Sequence, residues 1–424
     1  MQRYKKTEYQ RQKQETFRIF ARKLLDMQYD FDKVPDRTGS GDIKHMDLLR
    51  DFGRSDLIPM WIADMEWETP SFITEALKKR MEHSLFGYTK TPPNYWKVIS
   101  KWIYDHHQWK VREDWICYIP GIVKGICMAI YALTKEHEKV IVQPPIYHPF
   151  YLTPRGCGRT VVWNPLKEIK DQDGHLVGYD MDFDNLEQVY DKDCRLLILA
   201  NPHNPIGITW SKETLQRLAH FAVTHNLIVL SDEIHCDMAL FGNKHIPFGS
   251  VNEEAANCSI TFSAPSKTFN IAGIVSSWAV VPNDHLRKKF YGWMAAGELN
   301  EEHLFAPIAT MAAFEHGEPW RKEMLEYLEG NINFLIDYCR EYIPQINPLR
   351  PQASYLVWLD CRALGLTHSQ LLDLFINKAR LALNDGEMFG TEGHGCMRMN
   401  VACPRSMLTQ ALEQLRDAVQ GIIR

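Results

Sequence analysis

The stretch LLILANPHNPIGITWSKETLQRLAHFAVTHNLIVLSDEIH (196–235) decides the fold. It begins with the apolar run LLILA (196–200) and reaches a second, LIVL (227–230), near its end; neither alternates with polar residues, which suits strands covered on both faces. Between them Ser211 is placed to cap a helix, Leu215, Leu218, Ala219 and Ala222 fall on one face of it, and Asn226 is placed to stop it. Strand, helix and strand at this spacing make a βαβ unit, and such units build parallel sheet. Working outward, VIV (140–142), SITF (259–262) and WAVV (278–281) are further runs of the same kind, so the predicted core is an open, largely parallel sheet between helices. After about residue 300 the pattern changes to long helical stretches, then ASYLVWLDC (353–361), another helix and CMRMNVAC (396–403), which predicts a smaller α+β domain. The predicted division is a basic helical extension over 1–28 carried by Phe17, Phe20, Ala21 and Leu24, an arm over 29–60 that joins the small domain, a large domain over 61–300 and the small domain over 301–424.

A chain of 424 residues is long enough for two hydrophobic cores. With 45% apolar and 24% charged residues and a formal charge of −5, it has no field that would draw nucleic acid. No apolar run is long enough to span a bilayer and no secretory signal is recognisable at the N-terminus, so the expected location is the cytosol and the expected partner a small molecule. Ten cysteines without a CxxC pair predict buried reduced thiols, and no metal spacing is visible among the histidines.

Ligands of open parallel sheets bind beyond the carboxyl ends of the strands, so the residues after each run matter most. NPHNPIG (201–207), SDEIH (231–235) and SAPSKTFN (263–270) stand at three such ends. Together they offer what an aldehyde cofactor with a pyridine ring and a phosphate requires: an amine to attach it, a carboxylate to keep its ring nitrogen protonated, and an amide for its phenolic oxygen. Lys267, Asp232 and Asn204 fit these parts.

The chain resembles the fold-type I pyridoxal 5'-phosphate enzymes, and within them the cystathionine β-lyase group (MalY/PatB-like carbon–sulfur lyases). The stretches that carry the resemblance run from Tyr29 to the C-terminus: YDFDKVPDR (29–37), PMWIADMEW (59–67), FGYT (86–89), PPIYHPFY (144–151), NPHNPIG, SDEIHCDM, APSKTFNIAG and CMRMNVACPRS. It implies a mostly parallel seven-stranded sheet of the aspartate aminotransferase-like kind and a homodimer with active sites at the interface. It also implies that Lys267 attaches the cofactor, Asp232 pairs with its ring nitrogen, Asn204 bonds its phenolic oxygen and Tyr147 stacks on its face. The phosphate would lie against the amides of Gly121, Ile122 and Val123 at a helix start and the hydroxyl of Ser266. Tyr88 matches a tyrosine lent across the dimer interface to that phosphate, and Arg398 would grip the substrate carboxylate. In CMRMNVAC, Met397, Met399 and Val401 alternate with Arg398 and Asn400, which takes the arginine off the core face and toward a cleft.

His235 and Val275 stand where aminotransferase relatives usually carry tyrosine and arginine, and Asp385 stands where relatives often have proline. His235 reads either as a polar core residue or as a group acting on the ring through a neighbour. With Val275 in place, the phosphate charge must be met by amides, hydroxyls and a lysine that the sequence does not identify. The activity implied is β-elimination on cysteine S-conjugates such as cystathionine, giving a thiol (homocysteine), pyruvate and ammonia. The alternatives are an aminotransferase using the same lysine, aspartate and arginine, and a cofactor-binding protein whose role is regulatory interaction.

Overall fold

A computed structural model describes residues 27–423, so all but the last two residues of the expected N-terminal extension lie outside the described residues. Seven strands form the main sheet: β1 (Ile116–Ile119), β2 (Lys139–Val142), β3 (Thr160–Trp163), β4 (Cys194–Ala200), β5 (Ile228–Asp232), β6 (Ser259–Ser263) and β7 (Ser277–Val280). Their order is β1-β7-β6-β5-β4-β2-β3. The pairs from β6 through β3 are parallel, whereas β7 runs antiparallel to both β6 and β1. The chain thus has the mostly parallel, seven-stranded, helix-flanked sheet of fold type I.

The apolar runs do what their composition requires. Along β4, Leu196, Ile198 and Ala200 pack into the core on one face, while Leu197 and Leu199 enter the core on the other. Helix α5 (Lys212–Thr224), which links β4 to β5, is capped by Ser211 through the Thr214 amide at 3.1 Å and buries Leu215, Leu218, Ala219 and Ala222. Asn226, at φ 54, takes the left-handed conformation beyond its end, a role open to asparagine because its side chain is short and polar. Two strands were not foreseen. One, ICYI (116–119), is short; the other, TVVW (160–163), is an edge strand with one exposed and three half-buried residues and so lacks a strong apolar signature. LIVL also ends later than its apolar letters suggest, since Ser231 and Asp232 are the last two residues of β5.

Helix α3 (Ile122–Leu133) follows β1 and lies tight on the sheet: a Cβ at Gly125 would come within 2.5 Å of Ile119 Cδ1. Gly121, at φ 113, makes the abrupt entry into that helix and leaves its N-terminus without a side-chain cap.

Past residue 300 come α7 (Ala306–His316) and the long α8 (Glu318–Tyr342). A second, antiparallel sheet follows, of β8 (Asn347–Pro348), β9 (Leu356–Asp360), β10 (Asn384–Asp385) and β11 (Cys396–Asn400), ordered β8-β9-β11-β10. Ile58–Pro59 pair in parallel with Leu381–Ala382, which ties the start of the chain to this part of the fold. No helix among the described residues is long and apolar enough to cross a membrane.

Candidate active site

Register levels three strand ends. Ala200 pairs with Asp232, and Asp232 with Phe262, so the turns after β4, β5 and β6 open at the same height. Asn204 lies in the first turn, Asp232 closes β5, and Ser266 and Lys267 lie in the third. These four residues, with Tyr147, His235 and the helix start Gly121, Ile122 and Val123, line one cavity of about 320 Å³.

Burial sets the chemistry. It pushes the Lys267 amine down to about 8, against the pull of Asp64 and Asp232, and the amine donates to the Ala63 carbonyl. Burial likewise raises the Asp232 carboxyl to about 7, although the Ile234 amide donates to its Oδ1 at 3.0 Å and Lys267 stands near. An anion here therefore lacks a sufficient positive partner within the chain. The neighbouring Glu233 is not available for that part. Its carboxylate is engaged by Ser231 Oγ at 2.8 Å, the Phe248 amide at 2.8 Å and His245 Nε2 at 2.9 Å.

His235 is buried, its imidazole is pushed down to about 3 chiefly by that burial, and its Nδ1 has no hydrogen-bond partner. It lines the cavity as a neutral ring. Tyr147 is anchored by its amide, which donates to the Asn204 carbonyl at 3.1 Å, and burial raises its phenol above the usual range.

Arg398 stands off the core face, as the alternation implies, but it is closed in rather than open to the cavity. Alternation along β11 holds, with Met397, Met399 and Val401 in the core, but Arg398 is only 4% exposed and is not among the cavity-lining residues. Chain passing over the strand's other face closes it in. The guanidinium donates to Asn204 Oδ1 at 2.9 Å, to the Trp61 carbonyl at 2.9 Å and to Asn384 Oδ1, and lies 4.8 Å from the centre of the Phe389 ring. Its Nε is buried without a partner. With Oδ1 engaged by Arg398, the group Asn204 has left to offer is its NH₂ donor.

Asn400, on the same face of β11, donates to the carbonyls of Ile62 at 2.7 Å and Asp64 at 2.6 Å. One strand thus fixes the segment 61–64 whose Ala63 carbonyl receives Lys267. Ala63 lies within PMWIADMEW, but a backbone acceptor leaves no mark in a residue pattern. Nor does the sequence pattern single out Lys124, which lies in the first turn of α3 and lines the cavity. Val275 lines it too, in a left-handed conformation at φ 55 that is uncommon for a β-branched residue. Tyr88 is not brought in: in the single chain it is fully exposed, within an exposed stretch over 81–90.

These residues fit pyridoxal 5'-phosphate. The cavity joins an amine held below its ordinary range, a carboxyl short of a cation and the uncapped N-terminus of a 12-residue helix, a natural seat for a phosphate.

The sequence profile of aminotransferase class I and II matches residues 56–415. Cystathionine beta-lyase PatB of Bacillus subtilis (strain 168) is 39% identical over 92% of this chain and all of that protein. Protein MalY of Escherichia coli (strain K12) is 31% identical over 93% of this chain and all of its own length. Among solved structures, a PLP-bound putative aminotransferase from Clostridium difficile 630 superposes with a TM-score of 0.88 at 38% identity, covering 92% of this chain and all of that one. Cystalysin from Treponema denticola, whose structure contains pyridoxal 5'-phosphate, gives 0.88 at 31%, covering 93% of this chain and all of that one. The chain therefore belongs to the aminotransferase class I and II family, on its cystathionine β-lyase branch.

Proposed function

We propose that this chain is a pyridoxal 5'-phosphate-dependent carbon–sulfur lyase. Its reaction takes a cysteine S-conjugate such as cystathionine and water to a thiol, pyruvate and ammonia. The likeness to PatB along nearly the whole chain carries the reaction type, and the convergence of Lys267, Asp232 and Asn204 on one cavity supports the parts given to them here.

Lys267 would attach the cofactor, Asp232 would pair with its ring nitrogen, the Asn204 NH₂ would donate to its phenolic oxygen and Tyr147 would cover its face. The amides of Gly121, Ile122 and Val123, the Ser266 hydroxyl and the Lys124 ammonium meet the phosphate. Bound there, the cofactor supplies an electron-withdrawing ring that acidifies the Cα proton of an attached amino acid. The Lys267 amine would be the base that takes that proton. Burial suits it to the task, since an amine near 8 is neutral in a useful fraction at neutral pH. Asp232, raised by burial, gains the positive partner it lacks and holds the ring nitrogen protonated. Arg398 offers its unpartnered Nε to the substrate carboxylate, with Asn384 and the Trp61 carbonyl keeping the fork in place.

The pairing of Ile58–Pro59 with Leu381–Ala382 supports an arm over 29–60 that belongs with a small domain over 301–424. The exposed Leu85, Phe86 and Tyr88 support a homodimer in which Tyr88 serves the partner's phosphate site. A cytosolic location suits an enzyme that needs free amino acid and reduced thiols.

The second reading is an aminotransferase, favoured by the match to the Clostridium difficile protein. Pyruvate release from cystathionine with no keto acid added, lost together with the cofactor's visible absorbance in Lys267→Ala, supports the lyase. Turnover that strictly requires a keto acid refutes it. A pure, cofactor-loaded protein without turnover on either assay returns the regulatory reading.

A further inference from the structure

Away from the cavity-lining residues, three side chains far apart in sequence spacing meet on the rim of the second sheet. His368 opens the short helix His368–Asp373, Glu387 lies in the turn Gly386–Phe389, and His394 follows the turn Thr391–Gly393. Glu387 Oε1 is 2.6 Å from His394 Nδ1 and 3.3 Å from His368 Nδ1, and the ligand atoms of the three all lie within 4.8 Å of one another. His368 Nδ1 is buried and, lacking alignment with that carboxylate, has no hydrogen-bond partner. On the far side of the same imidazole, His368 Nε2 stands 3.3 Å from Asp385 Oδ2, while Asp385 Oδ1 accepts from the Glu387 amide at 3.0 Å.

We propose that His368, Glu387 and His394 are the ligands of a divalent transition-metal ion of the zinc class, with Asp385 as the positioning residue behind His368. Two imidazoles and one carboxylate are a donor set suited to zinc rather than to magnesium or calcium, which prefer oxygen. Zinc bonds of about 2.0–2.2 Å at a tetrahedral centre put neighbouring ligand atoms about 3.3–3.6 Å apart, and the 3.3 Å between Glu387 Oε1 and His368 Nδ1 lies at the short end of that range. The 2.6 Å between His394 Nδ1 and Glu387 Oε1 must open by about an ångström or less, and the His394 side chain, 62% exposed, has room to adjust. A carboxylate on the outer nitrogen of a ligating histidine fixes its tautomer and orientation. Asp385 stands in that place, and a proline there would offer no carboxylate.

The ion would fasten the turn over 386–394 to the helix over 368–373. That turn carries Phe389, under the Arg398 guanidinium, and it follows Asn384, which holds the same arginine. The site thus sits one residue layer behind the arginine rather than within the cavity.

The cofactor-loaded protein, treated with EDTA and dialysed into a non-chelating buffer, is titrated with zinc chloride by calorimetry, and its melting temperature is read with and without zinc. One ion per chain and a raised melting temperature are expected, with no response to magnesium. His394→Ala and His368→Ala should each weaken zinc binding more than about tenfold and abolish the melting shift, and Asp385→Asn should weaken it about tenfold. His394 is exposed enough that its variant should fold, and it decides the matter alone if His368→Ala does not. Absence of zinc binding, or binding undiminished in the two histidine variants and therefore made elsewhere, for instance by thiols, overturns the proposal.

Discussion

Replacing Asp232 by Asn should stabilise the cofactor-free chain and weaken its hold on the cofactor. Burial raises this carboxyl from 3.8 to about 7, against the Ile234 amide and the Lys267 amine, which pull the other way. With the folded value above the unfolded one, the folded chain keeps a proton that the unfolded chain has lost. Stability therefore declines as pH rises from about 4 to about 7 and stays at its lower level above that. An interval of about 3 pH units, at about 1.36 kcal/mol each, gives about 4 kcal/mol as the upper value of the loss. Asparagine has the same shape, can still accept from the Ile234 amide and brings no charge to desolvate. Urea midpoints of cofactor-free wild type and Asp232→Asn, at one protein concentration, provide the assay. The variant's advantage should be about a third of its full size at pH 5 and reach a few kcal/mol at pH 8. Saturating cofactor should reverse the order, because only the carboxylate gains a positive partner at the ring nitrogen. A variant advantage that is absent at pH 8, or no larger than at pH 5, would refute the argument that Asp232 is an ion short of its cation.

Arg398→Ala should raise KM for amino-acid substrates by more than about tenfold and, by leaving the Asn204 and Asn384 carbonyls unpaired, cost about 1–3 kcal/mol of stability. Arg398→Lys should recover stability only in part, since a lysine lacks the fork that spans both. Lys124→Ala should speed cofactor loss about threefold at low salt and less at high salt, as expected for an exposed charge, with Lys124→Arg restoring retention; equal loss rates would remove Lys124 from the phosphate site. Tyr88→Ala touches a fully exposed side chain, so the melting temperature of the chain should hardly move, while cofactor retention and sedimentation as a dimer should both suffer. Unchanged retention would take Tyr88 out of the site.

The chemistry of the site was legible wherever it is written in one residue at one strand end. Lys267, Asp232 and Asn204 could be picked out because a parallel sheet presents its carboxyl ends to a ligand, and apolar runs mark where those ends fall. Glu233, next to Asp232, could be separated from it only by its partners, which come from β5 itself and from residues 245 and 248.

What the sequence determined by itself was the class of fold and which side chains stand at the strand ends as candidates for the chemistry, because burial on both strand faces and residue chemistry are local properties. What the tertiary structure alone decided was environment. Enclosure sets the Lys267 amine near 8 and the Asp232 carboxyl near 7; segment 61–64, held by Arg398 and Asn400, supplies the Ala63 carbonyl; Lys124 comes to line the cavity; and His368, Glu387 and His394 gather across two turns. Desolvation and long-range hydrogen bonds depend on what lies opposite a residue in space, and no pattern along the chain records that.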